Sequence, residues 1–184
     1  MAETQLTCGE FSLESDAERF FDSVVPEEYF VNEREVVGRR LFDDKPIYSG
    51  YEQKLRIDRI LHPTDKAMGF WKYGPIGIEL KKSGVKMGPV FAQIIEQRQT
   101  LFLSKWLNNT RILPMLFAVF PAEPYTNDLH SIGISQSILC CAYDDRRRGL
   151  VFSNGNISRI LMISKNGIEV DDRWQPTTRK GHRG

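Results

Sequence analysis

The stretch GIELKKSG, residues 77–84, sets an acid and a base two positions apart, Glu79 and Lys81, inside a short apolar run. In an extended strand residues i and i+2 point to the same side. Over 75–81, Ile76, Ile78 and Leu80 alternate with Gly77, Glu79 and Lys81, which predicts a strand carrying both charges on one side, ended by Ser83-Gly84.

Upstream, EQKLRIDRIL at 52–61 alternates as well, with Leu55 and Ile57 on one face and Lys54, Arg56 and Asp58 on the other, ending at His62-Pro63. Twenty residues separate Asp58 from Glu79. Antiparallel pairing of these two strands brings Asp58 and Glu79 within reach of one hard divalent cation, with Lys81 beside them. The competing reading is a salt-bridge ladder on a solvent-facing sheet surface, which needs no metal.

Further out, Ser15-Asp16-Ala17-Glu18 has the pattern of a capping box and precedes Phe20, Phe21, Val24 and Val25 at helical spacing, stopped by Pro26. YFVNEREVVG at 29–38 reads as a strand ending at Gly38, in which Glu33 and Glu35 lie on a solvated face. Residues 41–50 read as a loop. Gly88-Pro89 opens a helix in which Phe91, Ile94, Ile95, Phe102 and Trp106 recur at helical intervals, with Gln93 and Gln97 one turn apart on the opposite flank. RILPMLFAVF at 111–120 suits a buried strand with Pro114 at an edge or bulge. Residues 127–143 fit either a helix or a strand. GLVFS and SRILMIS flank Asn154-Gly155-Asn156 as a hairpin, with Asp144-Asp145 a turn before it.

Asp58, followed after twenty residues by Glu79-Leu80-Lys81, resembles the Asp … Glu-x-Lys signature of the PD-(D/E)XK nuclease superfamily. The order helix, three strands, helix, strand is similar to that family's αβββαβ core, so the resemblance covers roughly residues 12–120. It implies an α/β protein with a single restriction-endonuclease-like domain, a mixed central sheet and flanking helices. It further implies Mg²⁺ or Mn²⁺ held by Asp58 and Glu79, and Lys81 as a base of lowered pKa or an electrostatic helper. Branches of the family use an acid on the first helix, here Glu18 or Glu14, as a further metal ligand. Others place a glutamine on the helix after the lysine, matched by Gln93 or Gln97. The residue before Asp58 is Ile57 where the family often has proline, and Gln97 stands where those branches often have tyrosine.

The implied activity is hydrolysis of phosphodiester bonds in DNA, or RNA. Lys82, Ser83 and Lys86, just after the acid–lysine strand, are expected to touch phosphate, and Arg146, Arg147 and Arg148 form either a phosphate-contacting run or a solvated turn. Trp71 and Tyr73 read as base-stacking residues, Trp71 equally as core. The alternative is a non-catalytic nucleic-acid-binding or protein-interaction module on the same scaffold.

The 184 residues, 41% hydrophobic and 27% charged, suit one globular domain, divided as a flexible leader 1–11, a nuclease-like domain 12–170 and a basic tail 171–184. A net charge of +1 leaves any polyanion to be met by a local patch. Cys8, Cys140 and Cys141 leave one thiol over, which reads as a reducing, cytoplasmic setting. No spacing of Cys and His resembles a zinc site, and no apolar stretch approaches the roughly 18 residues of a membrane span. No Gly-x-Ser-x-Gly element, Walker loop or Gly-x-Gly-x-x-Gly turn occurs. A homodimer, which lets one small domain cut both strands, or a protein partner is compatible with these features.

Overall fold

The apolar runs assemble into one mixed sheet in the computed structural model of the chain, which describes residues 10–40, 55–122, 138–154 and 158–171. Its described elements are α1 (Glu14–Val24), β1 (Phe30–Arg40), β2 (Leu55–Pro63), the single-turn α2 (Asp65–Met68), β3 (Ile76–Leu80) and α3 (Met87–Gln97). There follow β4 (Thr100–Ser104), β5 (Thr110–Ile112), β6 (Leu116–Phe120), β7 (Ile138–Asp144), β8 (Gly149–Asn154), β9 (Ser158–Ser164) and β10 (Gly167–Val170). The ten described strands lie in the order β10-β9-β8-β7-β6-β3-β2-β1-β4-β5. The chain is thus a mixed α/β protein with a large sheet and few helices.

Four pairings position the site. β2 runs antiparallel to β1 and to β3, whereas β6 runs parallel to β3 and β7 parallel to β6. The carboxyl ends of β3, β6 and β7 therefore share one end of the sheet. Buried side chains cover both faces there. On one, Ala17, Phe20 and Phe21 of α1 meet Ile76, Ile78, Leu80 and Phe120; on the other, Val90, Phe91 and Ile94 of α3 meet Ile57, Ile60, Phe117 and Val119. Double coverage explains why β2 is buried from Ile57 through His62 instead of keeping the predicted alternation of apolar and solvated positions. Gly77 is required by this packing: a Cβ there would stand 2.6 Å from Ile57 Cδ1 and 2.8 Å from the Phe117 ring.

The structure departs from the sequence reading at several points. α1 begins at Glu14 with Leu13 as N-cap and no side-chain cap bond, so the Ser15–Glu18 capping box does not form. α3 ends at Gln97, where Arg98 N–H closes on Ile94 O, and Phe102 belongs to β4, paired with Gly38 and Ile112. A Cβ at Gly38 would stand 2.5 Å from Thr100 Cγ2, so this glycine lets β4 approach β1 closely enough to pair. Long-range pairing overrides the helical spacing of Phe102, and Trp106 lies exposed in the following turn. The expected strand 111–120 is two strands, β5 and β6, with Pro114 between them. β8 and β9 pair antiparallel as predicted, and β10 joins them beyond Asn166. The leader before residue 10, the loop 41–50, the segment 123–137, the hairpin tip 155–157 and the tail after Asp171 lie outside the described residues. No helix among the described residues is long and apolar enough to cross a membrane.

Candidate active site

The β2–β3 ladder runs from Leu61↔Ile76 through Ile60↔Gly77 to Arg59↔Ile78. The pairing stops there; Asp58 is the next residue on β2 and Glu79 the next on β3, and Asp58 Oδ2 accepts the Leu80 N–H at 2.9 Å. Glu79 is 1% exposed and Asp58 8%, so the pair is not a ladder on a solvent-facing surface. Lys81, whose N–H extends the β3–β6 pairing to Phe120 O, turns its ammonium back onto the acids. Its Nζ lies 2.9 Å from Glu79 Oε2, 3.7 Å from Asp58 Oδ2 and 3.6 Å from Glu14 Oε1.

α3 closes the other side. Gln93 donates to Glu79 Oε2 at 2.9 Å, and the fully buried Gln97 donates to Glu79 Oε1. Burial, and after it the neighbouring Asp58 charge, push the Glu79 carboxyl up to about 7, against the pull of Lys81 and Gln97. Burial draws the Lys81 ammonium down, but Glu79, Asp58 and Glu14 outweigh it and leave it above the ordinary lysine value. Lys81 is therefore a firmly held cation, not the lysine of lowered pKa that the sequence reading expected.

Glu18 is not in this group. It points along α1 to Arg59, 3.3 Å from Nη2, while Glu14, one turn earlier, is the helix acid that faces Lys81. Arg59 is the residue sequence reasoning missed. Only 3% exposed, it binds Asp22 through Nε at 2.8 Å and Nη2 at 3.1 Å, and donates from Nη1 to the main-chain oxygen of Asp58 at 2.8 Å. Burial lowers its pKa and the Asp22 and Glu18 carboxylates raise it further, so it stays charged and ties α1 to the backbone at Asp58. Its visible signal was a charge between the apolar residues Ile57 and Ile60.

No family model, curated protein or solved structure matches the chain. The chemistry of the site thus rests on its own residues. Among the described residues, no group of three or more His, Cys, Asp and Glu is gathered as a ready metal site. Asp58 and Glu79 nevertheless offer hard oxygen donors side by side, and with Glu14 they surround a positive charge, that of Lys81 Nζ. Such a donor set fits Mg²⁺ or Mn²⁺ better than a softer metal.

The expected phosphate contacts fall into two sets. Lys82 and Lys86 lie exposed in the connection after β3, and Ser83 between them is engaged, its Oγ accepting Phe11 N–H at 2.8 Å and its N–H donating to Phe11 O at 2.9 Å. Ser83 thus fastens the segment before α1 through its accepting lone pair, and its O–H keeps its donor capacity. Arg146, Arg147 and Arg148 form the exposed β7–β8 turn, which Asp144 Oδ1 shapes by accepting Arg146 N–H at 2.9 Å and Arg147 N–H at 3.1 Å. Because β7, β6 and β3 run parallel, this turn rises at the same end of the sheet as Glu79 and Lys81. Trp71 is buried, with its Nε1–H on Gly74 O at 2.8 Å, and belongs to the core, not to a stacking surface.

At the opposite end of β2, Glu33 is not solvated. Its Oε2 meets His62 Nε2 and Ser104 Oγ, each at 2.7 Å, and its Oε1 accepts Lys105 N–H at 2.6 Å. Ser104 is fully buried, so this group ties β1, β2 and β4 together and offers no accessible nucleophile.

Proposed function

We propose that the chain is a divalent-metal-dependent nuclease that hydrolyses phosphodiester bonds in DNA. The single observation that carries this reading is the convergence of Asp58, Glu79 and Lys81 at the buried open end of the β2–β3 ladder. The topology supports it: α1 precedes an antiparallel β1–β2–β3 run, and β6, after α3, joins β3 in parallel, as expected of a restriction-endonuclease-like core. β4 and β5 are then an insertion between α3 and β6, and β7–β10 an extension of the sheet.

Asp58 and Glu79 would hold Mg²⁺ or Mn²⁺, and of the two first-helix acids offered by the sequence, Glu18 and Glu14, it is Glu14 that stands beside them. When bound, the cation supplies charge that polarises the phosphoryl group and makes water more acidic. The chain's own residues do the rest. Lys81 presents its ammonium where negative charge grows on the phosphoryl oxygens. Gln93 holds the Glu79 oxygen nearest that ammonium. Lys82, Lys86 and the arginine turn 146–148 receive backbone phosphates on either side of the site.

A second reading, a non-catalytic nucleic-acid-binding or protein-interaction module, is favoured by one observation: Glu79 already has Lys81, Gln93 and Gln97 as partners within the chain. Labelled single-stranded and duplex DNA incubated with Mn²⁺, Mg²⁺ or EDTA separates the two. Cleavage that needs the metal and disappears in Glu79→Ala and Lys81→Ala supports the nuclease; binding without cleavage supports the module.

A further inference from the structure

The β2–β3 pairing ends at Arg59↔Ile78, and the two acids follow directly beyond it, one on each strand. Two side chains bridge the strands there in opposite senses. Asp58 on β2 reaches the backbone of β3, at Leu80 N–H, 2.9 Å away. The return bridge runs through α3: the Gln97 amide nitrogen donates to Glu79 Oε1 on β3 and also to the main-chain oxygen of Arg56 on β2, the latter at 2.9 Å.

We propose that Gln97 is a positioning residue, a latch that fastens the Glu79 carboxylate to the backbone of the strand bearing Asp58 and so sets the spacing of the two acids. The inference rests on the nuclease reading, in which those acids share a cation. Gln97 is fully buried, and its Oε1 has no hydrogen-bond partner in the structure. A buried amide with an idle acceptor is a cost that an apolar side chain would not carry. The two bonds from its nitrogen offset that cost. Gln93, by contrast, lies on the more open side of α3 and holds only the other Glu79 oxygen. Partners that orient metal ligands in this way typically change metal affinity by about 10- to 100-fold when removed.

The test is calorimetric titration of Mn²⁺ into the full chain, with thermal melts in EDTA, for the parent and Gln97→Met. The expected result is Mn²⁺ affinity at least about tenfold weaker in Gln97→Met, with a metal-free melt no more than a few degrees lower. A residue that merely stabilised the fold would show the reverse. If the parent binds Mn²⁺ and Gln97→Met binds it equally well, the latch is wrong and the nuclease reading stands. If the parent itself binds no Mn²⁺, the nuclease reading falls and the latch with it. Should Gln97→Met not fold, Gln97→Asn keeps the amide but is one methylene too short to span both acceptors, and the same weakening is expected. If neither variant folds, Gln97 serves the fold and the proposal fails.

Discussion

Arg59 Nε lies 2.8 Å from Asp22 Oδ1, a buried ion pair that joins α1 to the strand bearing Asp58. Asp22 also lies 3.0 Å from Arg34 Nη2 and accepts a hydrogen bond from Asn32 Nδ2, so removing Arg59 leaves the carboxylate partnered and costs less than the about 3–5 kcal/mol of a charge left alone. Arg59→Met is therefore expected to lower the unfolding free energy by about 2 kcal/mol, read from the urea midpoint. Arg56→Met is the control: its ion pair with Glu35 joins two exposed side chains, and the loss is expected to fall below about 1 kcal/mol.

Gly77→Ala is expected to destabilise out of proportion to one methyl group. The new Cβ meets Ile57 Cδ1 at 2.6 Å and the Phe117 ring at 2.8 Å, so these two packed side chains must move beside the site. Overpacking of this kind costs about 1–3 kcal/mol. Thermal melting checks it, and an unchanged melt would mean that the β2–β3–β6 packing is looser than described.

His62 makes stability depend on pH. Burial holds its pKa below the ordinary histidine value despite the opposing pull of Glu33. The unfolded chain therefore takes up this proton before the folded one does, and the His62 contribution, present in full above the ordinary histidine pKa of about 6.5, is lost as pH falls below it and through the lower folded value. Glu33, held below the ordinary carboxylate range by Ser104, His62 and Lys105 despite its burial, adds a second loss at lower pH, as pH falls through its folded value. Glu79 works in the opposite sense: its contribution is present below the unfolded carboxyl value and lost as pH rises through about 7. Comparison of urea midpoints of the parent and His62→Gln at pH 5 and 7.5 isolates His62. The parent's stability is expected to fall more steeply on acidification, by at most about 1.4 kcal/mol per pH unit.

The arginine turn is tested by salt. For every duplex phosphate that the protein ceases to neutralise, the slope of log affinity against log salt is expected to become shallower by about 0.9. Arg146→Ala and Arg148→Ala, titrated by fluorescence anisotropy in Ca²⁺, are expected to bind more weakly and with a shallower slope. Unchanged slopes would remove the turn from the DNA path.

The acid–lysine group was legible because strand alternation is local: Glu79 and Lys81 share a side by the geometry of the backbone alone, and 75–81 reads as a strand from its own residues. The hairpin around Asn154-Gly155-Asn156 was legible for the same reason. Phe102 and Trp106 misled, since their helical spacing is a local signal and β4 is held by pairing with β1 at Gly38 and with β5. Glu33 misled likewise, because its partners His62 and Ser104 arrive from β2 and β4. The choice between Glu18 and Glu14 was left open by the sequence: a one-turn difference along α1 decides which acid meets Lys81 and which meets Arg59, and the packed helix turns Glu14 to Lys81.

The most direct measurement of the central claim is Mn²⁺-dependent cleavage of a labelled DNA by the parent and by Glu79→Gln, with a thermal melt of each. Gln keeps the size of the Glu79 side chain but sets an NH2 group against a donor of Lys81, Gln93 or Gln97, so a modestly lowered melt in EDTA is expected, with the variant still folded. Its cleavage rate is expected to drop by more than about a hundredfold. A Glu79→Gln protein that is folded and cuts DNA as fast as the parent would contradict the assignment of this site as the nuclease centre.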